Sequence, residues 1–111
     1  MNLTIDVEHN GAEKIVSLSG EIDAYTAPKL KETLLPLTQE SEATVIVDLQ
    51  QITYMDSTGL GVFISALKST KEYNNTLKLV NLQDRVYRLF KITGLTEIIA
   101  IETDSTVRGG M

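Results

Sequence analysis

The stretch that most limits what this chain can become is Thr44-Val45-Ile46-Val47-Asp48-Leu49, a nearly unbroken run of apolar, largely β-branched residues. Such a run reads as a central strand covered on both faces. A few residues on, Asp56, Ser57 and Thr58 place three capping-type side chains ahead of Leu60, Phe63, Ile64 and Leu67, which share one helical face. Strand and helix therefore meet at Asp56 to Gly61, with Ser57 at the helix N-terminus. Unpaired N–H groups and the positive end of the helix dipole favour negative charge there, so the segment reads as a phosphorylation switch. The plain alternative is an ordinary cap, since Asp, Ser and Thr caps are common.

The rest of the chain falls into alternating elements. Leu3, Ile5 and Val7 alternate with Thr4, Asp6 and Glu8, and Asn10-Gly11 signals a hairpin into a second strand over Glu13 to Ser19, ended by Gly20. Thr26-Ala27-Pro28 starts a helix with a cap-capable hydroxyl and proline in the first turn; Leu30, Leu34 and Leu37 mark its apolar face, and Pro36 bends or ends it. The helix after Asp56 spans about Thr58 to Tyr73 and stops at Asn74-Asn75. A strand over Leu77 to Val80 follows, then a helix capped by Asp84 with Val86, Leu89 and Phe90 inward and Gly94 as its left-handed terminator. A last strand covers Ile98 to Ile101. These elements predict one α/β (or α+β) mixed sheet, with Val45–Leu49 parallel to Leu77–Val80 because the intervening helix is a crossover of suitable length. The expected core holds Val45, Val47, Leu60, Phe63, Ile64, Leu67 and Leu89. The domain is expected over residues 1–102, with 103–111 a frayed polar tail.

Composition narrows the function classes. The 111 residues suit one domain, and 15 acidic against 10 basic side chains give a net charge of -5, which argues against nucleic acid or an anionic membrane as partner. A partner with a basic face is favoured instead. Cysteine is absent, which excludes disulfides and thiolate chemistry and suits a reducing compartment. No segment reads as a leader or spanning helix, so the expected location is the cytoplasm.

Catalysis finds little support in the residues. A Ser57 nucleophile needs a base and an orienting third group, yet His9 is the one histidine and falls in the hairpin turn. Gly59 and Gly61 follow the serine where a nucleophile elbow would flank it, and no lysine follows them as in a phosphate-binding loop. Glu21, Asp23, Asp48 and Asp56 could converge on magnesium, but strand ends and caps account for them without a metal. Gly59 and Gly61 remain unexplained, because glycine in the first turns of a helix costs about 1 kcal/mol relative to alanine. Either a partner approaches the bare backbone there, or the helix packs tightly on the preceding strand.

Five motifs in order resemble one family: Ser19-Gly20-Glu21-Ile22-Asp23; Thr26-Ala27-Pro28-Lys29-Leu30; Val45-Ile46-Val47-Asp48-Leu49; Tyr54-Met55-Asp56-Ser57-Thr58-Gly59-Leu60-Gly61; and Phe90-Lys91-Ile92-Thr93-Gly94-Leu95. They are similar to the STAS-domain anti-sigma factor antagonists, most of all the general-stress antagonists of Gram-positive bacteria (RsbV type). The resemblance implies a protein that is not an enzyme and needs no cofactor or metal of its own. In its unphosphorylated form it would bind an ATP-dependent serine kinase that doubles as anti-sigma factor, releasing the sigma factor for stress transcription. Phosphorylation would end that binding and a serine phosphatase would restore it. By the same resemblance the phosphoacceptor is Ser57, with Thr58 as runner-up. The partner surface would combine Glu21, Asp23 and Thr26 with Asp56, Ser57, Thr58, Gly59 and Gly61. Alternatives are a sporulation-type paralogue, a STAS module of a larger stress-sensing assembly, or an unrelated enzyme.

Overall fold

A computed structural model describes residues 2–103. The element order is β1 (Leu3–Asn10), β2 (Glu13–Ile22), α1 (Ala27–Thr38), β3 (Thr44–Met55), α2 (Ser57–Glu72), β4 (Thr76–Leu82), α3 (Asp84–Ile92), a short 3-10 turn (Leu95–Glu97) and β5 (Ala100–Thr103). The five strands lie side by side in chain order. β1 runs antiparallel to β2, and every later neighbouring pair is parallel, including β3 with β4 as expected.

That monotonic order explains a departure from the expected burial of β3. Parallel crossovers are right-handed, so helices that always step in one direction across a sheet land on one face. Val16, Val47 and Leu79 stand in register on that face and are fully buried, whereas Ile15, Ile46 and Lys78, one residue along, are only half-buried. The central strand is thus covered fully on one face, not on both. Phe63 of α2 and Phe90 of α3, both without exposed surface, meet beneath the helices with ring centroids 5.9 Å apart.

Of the expected core, Val45, Val47, Leu60, Phe63 and Leu67 are buried, while Ile64 and Leu89 are partly buried against its flank. The buried stripe of α2 passes through Leu60, Phe63, Ala66, Leu67 and Thr70, and that of α3 through Val86 and Phe90, so Ile64 and Leu89 fall beside each stripe.

Several boundaries shift for identifiable reasons. β2 does not end at Gly20 but passes through it to Ile22. Gly20 has φ +119, and a Cβ there would lie 2.2 Å from the Asn2 carbonyl oxygen, which accepts the Glu21 N–H at 2.9 Å. Glycine lets β1 cross closely while β2 continues. His9 lies in β1 opposite Lys14, and the hairpin loop is Gly11-Ala12 between the paired Asn10 and Glu13. Gln83 takes the N-cap position of α3 without a side-chain capping hydrogen bond, so Asp84 occupies the first turn. Gly94 does take the left-handed conformation, but the 3-10 turn that follows consumes Leu95 to Glu97 and buries Leu95 and Ile99. The last strand therefore starts at Ala100, not Ile98, and runs through Thr103, one residue past the expected domain boundary. The rest of the expected tail, 104–111, lies outside the described residues. Pro36 sits within α1, which ends two residues later at Thr38. Among the described residues, no helix is long and apolar enough to cross a membrane.

Candidate functional site

The C-terminal ends of β2 and β3 bring the two sequence segments together. Glu21 pairs with Tyr54 and Ile22 with Met55, and the Asp56 N–H then donates to the Ile22 carbonyl at 3.3 Å. The β2–α1 loop and the start of α2 consequently form one continuous edge. Ligand and partner sites in parallel sheets commonly occupy this edge, because loops and helix N-termini converge there.

At the start of α2, Asp56 is the N-cap and its Oδ1 accepts the Thr58 N–H at 3.0 Å. The Thr58 hydroxyl donates to the same oxygen. This side-chain hydrogen bond lowers the Asp56 pKa below its ordinary 3.8; desolvation opposes it, and the backbone N–H groups of Thr58 and Gly59 add smaller lowering contributions. The cap is ionised at neutral pH. Ser57 occupies the first helical position, is exposed, and has no hydrogen-bond partner for its hydroxyl among the described residues. Of the two adjacent hydroxyls, only that of Ser57 stands unengaged.

The glycines divide between the two explanations left open by sequence. Gly59 is buried, and a Cβ on it would sit 2.6 Å from Met55 Cγ and 2.8 Å from Ile22 Cγ2, far inside contact distance. Its bareness serves packing of α2 on β2 and β3. Gly61 is exposed, and a Cβ there would meet nothing within 4 Å. No neighbour within the domain requires glycine at that position.

In the β2–α1 loop, Asp23 Oδ1 accepts the N–H groups of Tyr25 at 2.9 Å and Thr26 at 3.1 Å. The Thr26 hydroxyl accepts the Asp23 N–H at 2.9 Å and donates to the Glu21 carbonyl at 2.9 Å. The expected cap of α1 by this hydroxyl is absent, because the loop uses it instead. Asp23 and Thr26 are buried, Glu21 is partly exposed, and Asp23 Oδ2 is buried without a hydrogen-bond partner. The remaining carboxylate considered for magnesium, Asp48, accepts the Gln50 N–H at 3.0 Å, and among the described residues no three His, Cys, Asp or Glu side chains gather as a metal would require.

Sequence reasoning passed over two residues of this edge, Tyr25 and Tyr54, which are 87% and 46% exposed. The usable signal was an aromatic side chain in a loop, or at the end of a strand, with no place in either apolar period.

A family profile described as "STAS domain" matches residues 4–109. The chain is 47% identical over 105 residues to the anti-sigma-B factor antagonist of Bacillus subtilis (strain 168), covering 95% of each chain. It is 48% identical over 104 residues to the protein of the same name from Listeria monocytogenes, covering 92% of this chain and 90% of that one. Among solved structures, an anti-sigma factor antagonist from Mycobacterium paratuberculosis superposes with a TM-score of 0.82 at 25% identity, covering 91% of this chain and 86% of the other.

Proposed function

Because the chain belongs to the STAS-domain family, in its anti-sigma-B factor antagonist (RsbV-type) branch, we propose that it is a partner-switching regulator controlled by phosphate on Ser57. It acts as an anti-sigma factor antagonist: its unphosphorylated form binds the anti-sigma factor, a serine kinase, and frees a sigma factor for stress transcription. Phosphorylation by that kinase ends the interaction, and a serine phosphatase reverses it. Identities of 47% and 48% to anti-sigma-B factor antagonists favour general-stress control over a sporulation-type role.

One observation carries the reading: Ser57 offers an exposed, unengaged hydroxyl at the first position of α2 while Thr58 is tied to Asp56. The helix N-terminus tolerates the charge that a phosphate brings. Ser57 has no base of its own, so the partner's active site must activate it, and the protein is a substrate, not a catalyst. ATP and its metal belong to that partner. Gly61 adds support, since it keeps the backbone bare on the exposed side of α2, where a partner can approach closely.

The test is to incubate the protein with the candidate kinase and ATP and to locate the phosphate by mass spectrometry. Modification of Ser57 alone is expected. Failure to incorporate phosphate, or incorporation elsewhere, contradicts the reading.

A further inference from the structure

Tyr25 stands out because its neighbours are fixed while its own side chain is free. The ring is 87% exposed, yet its loop companions Asp23 and Thr26 are only 7% and 8% exposed. Asp23 Oδ1 holds the Tyr25 N–H at 2.9 Å, and the Thr26 hydroxyl bridges the Asp23 N–H and the Glu21 carbonyl. The backbone beneath the ring is therefore braced from both sides. A rigidly mounted tyrosine gives large contact area while only two side-chain torsions are lost on binding, which is why such residues dominate recognition surfaces.

Its surroundings point to the occupant. The loop is joined to the phosphoacceptor segment by the Asp56 N–H bond to Ile22, and Tyr54 lies opposite Glu21 on the same edge. Glu21 and the ionised Asp56 bring negative charge to that edge of a chain whose net charge is -5. A surface complementary to it has an apolar slot rimmed by arginine or lysine.

Building on the kinase reading above, we propose that Tyr25 is the main anchor by which this protein is gripped, its ring entering an apolar, basic-rimmed slot on the kinase. Asp23 and Thr26 are then positioning residues, buried beneath the contact and not part of it. This reassigns both from the direct contacts that the sequence resemblance implied.

Calorimetric titration of the full chain against the kinase tests this, with melting curves for each variant. Tyr25→Ala is expected to weaken binding about 30-fold, the loss typical of a hot-spot side chain, with an unchanged Tm. Tyr25→Phe keeps the ring and should bind nearly as the unaltered chain does. In phosphorylation kinetics Tyr25→Ala should raise KM and leave kcat unchanged, since an anchor that takes no part in the chemistry contributes equally to the bound substrate and the transition state. Thr26→Val should weaken binding and Thr26→Ser restore it. If Tyr25→Ala binds within about twofold of the unaltered chain, the anchor is overturned and the kinase reading stands. If the unaltered chain does not bind the kinase at all, both are overturned.

Discussion

Thr58 donates its hydroxyl to the Asp56 carboxylate oxygen that also holds the Thr58 N–H at 3.0 Å. One oxygen thus caps helix α2 and occupies the hydroxyl nearest to Ser57. To accept a phosphate, Thr58 would have to leave this bond, whereas Ser57 has none to leave. Thr58→Val is therefore expected to be phosphorylated normally, and Ser57→Ala not at all. Radiolabel incorporation from ATP distinguishes the two, and label persisting in Ser57→Ala would reassign the acceptor.

Removing the cap should weaken the helix without destroying the fold. Asp56→Ala is expected to cost about 0.5–2 kcal/mol, read as a lower Tm. The contribution depends on pH in a definite direction. The folded pKa of Asp56 lies below the ordinary 3.8, so its stabilisation is complete above 3.8 and fades as pH falls through the lowered folded value. The Tm gap between the unaltered chain and Asp56→Ala should be constant from neutral pH down to the carboxylate range and narrow in stronger acid. Because Asp56 is partly exposed, solvent screening keeps the pH-dependent part small.

The two glycines of α2 should respond oppositely to the same change. Gly59→Ala forces Ile22 and Met55 apart, and such overpacking costs about 1–3 kcal/mol, more than the helix propensity gained. Its Tm should fall. Gly61→Ala meets open space and should raise stability by up to about 1 kcal/mol. If a partner needs the bare backbone at Gly61, the same variant should bind the kinase more weakly. Melting curves paired with binding titrations check both effects.

Much of the architecture was legible because its causes are local. The β-branched run at Val45 to Leu49 and the crossover to Leu77 to Val80 announced a parallel pair, and Asp56 announced its helix. What escaped depends on contacts distant in sequence. Gly20 looks like a terminator until the Asn2 carbonyl is seen pressing against it, and Thr26 looks like a cap until its hydroxyl is found bridging Asp23 and Glu21. Half-burial of Ile46 follows from strand order, which no single strand encodes. At the site, residue types marked Ser57 only as a candidate beside an ordinary helix cap, and whether Gly59 and Gly61 face the core or solvent depends on how α2 meets Ile22.

The core makes its own demand. Phe63 is fully buried against Phe90, so Phe63→Ala should cost about 3–5 kcal/mol. Domains of this kind are typically stable by only about 5–15 kcal/mol, so urea unfolding should show a much earlier midpoint with little change in slope. A midpoint equal to that of the unaltered chain would contradict the packing described.

Phosphate on Ser57 should act on binding and not on folding. It adds about -1.5 to -2 charges beside the Asp56 carboxylate, a repulsion offset by the helix N-terminus, where negative charge gains typically about 0.3–1 kcal/mol. Against a kinase surface the same dianion must shed water and enter a space shaped for a hydroxyl. A poorly paired buried charge commonly costs several kcal/mol, about a hundredfold or more in affinity. The most direct measurement is calorimetric titration of the kinase with the unphosphorylated and the Ser57-phosphorylated protein, each with its melting curve. A loss of at least about a hundredfold in affinity at near-equal Tm is expected. Equal affinity for the two forms would contradict the switch, and a collapsed melting transition in the phosphorylated form would make unfolding the cause.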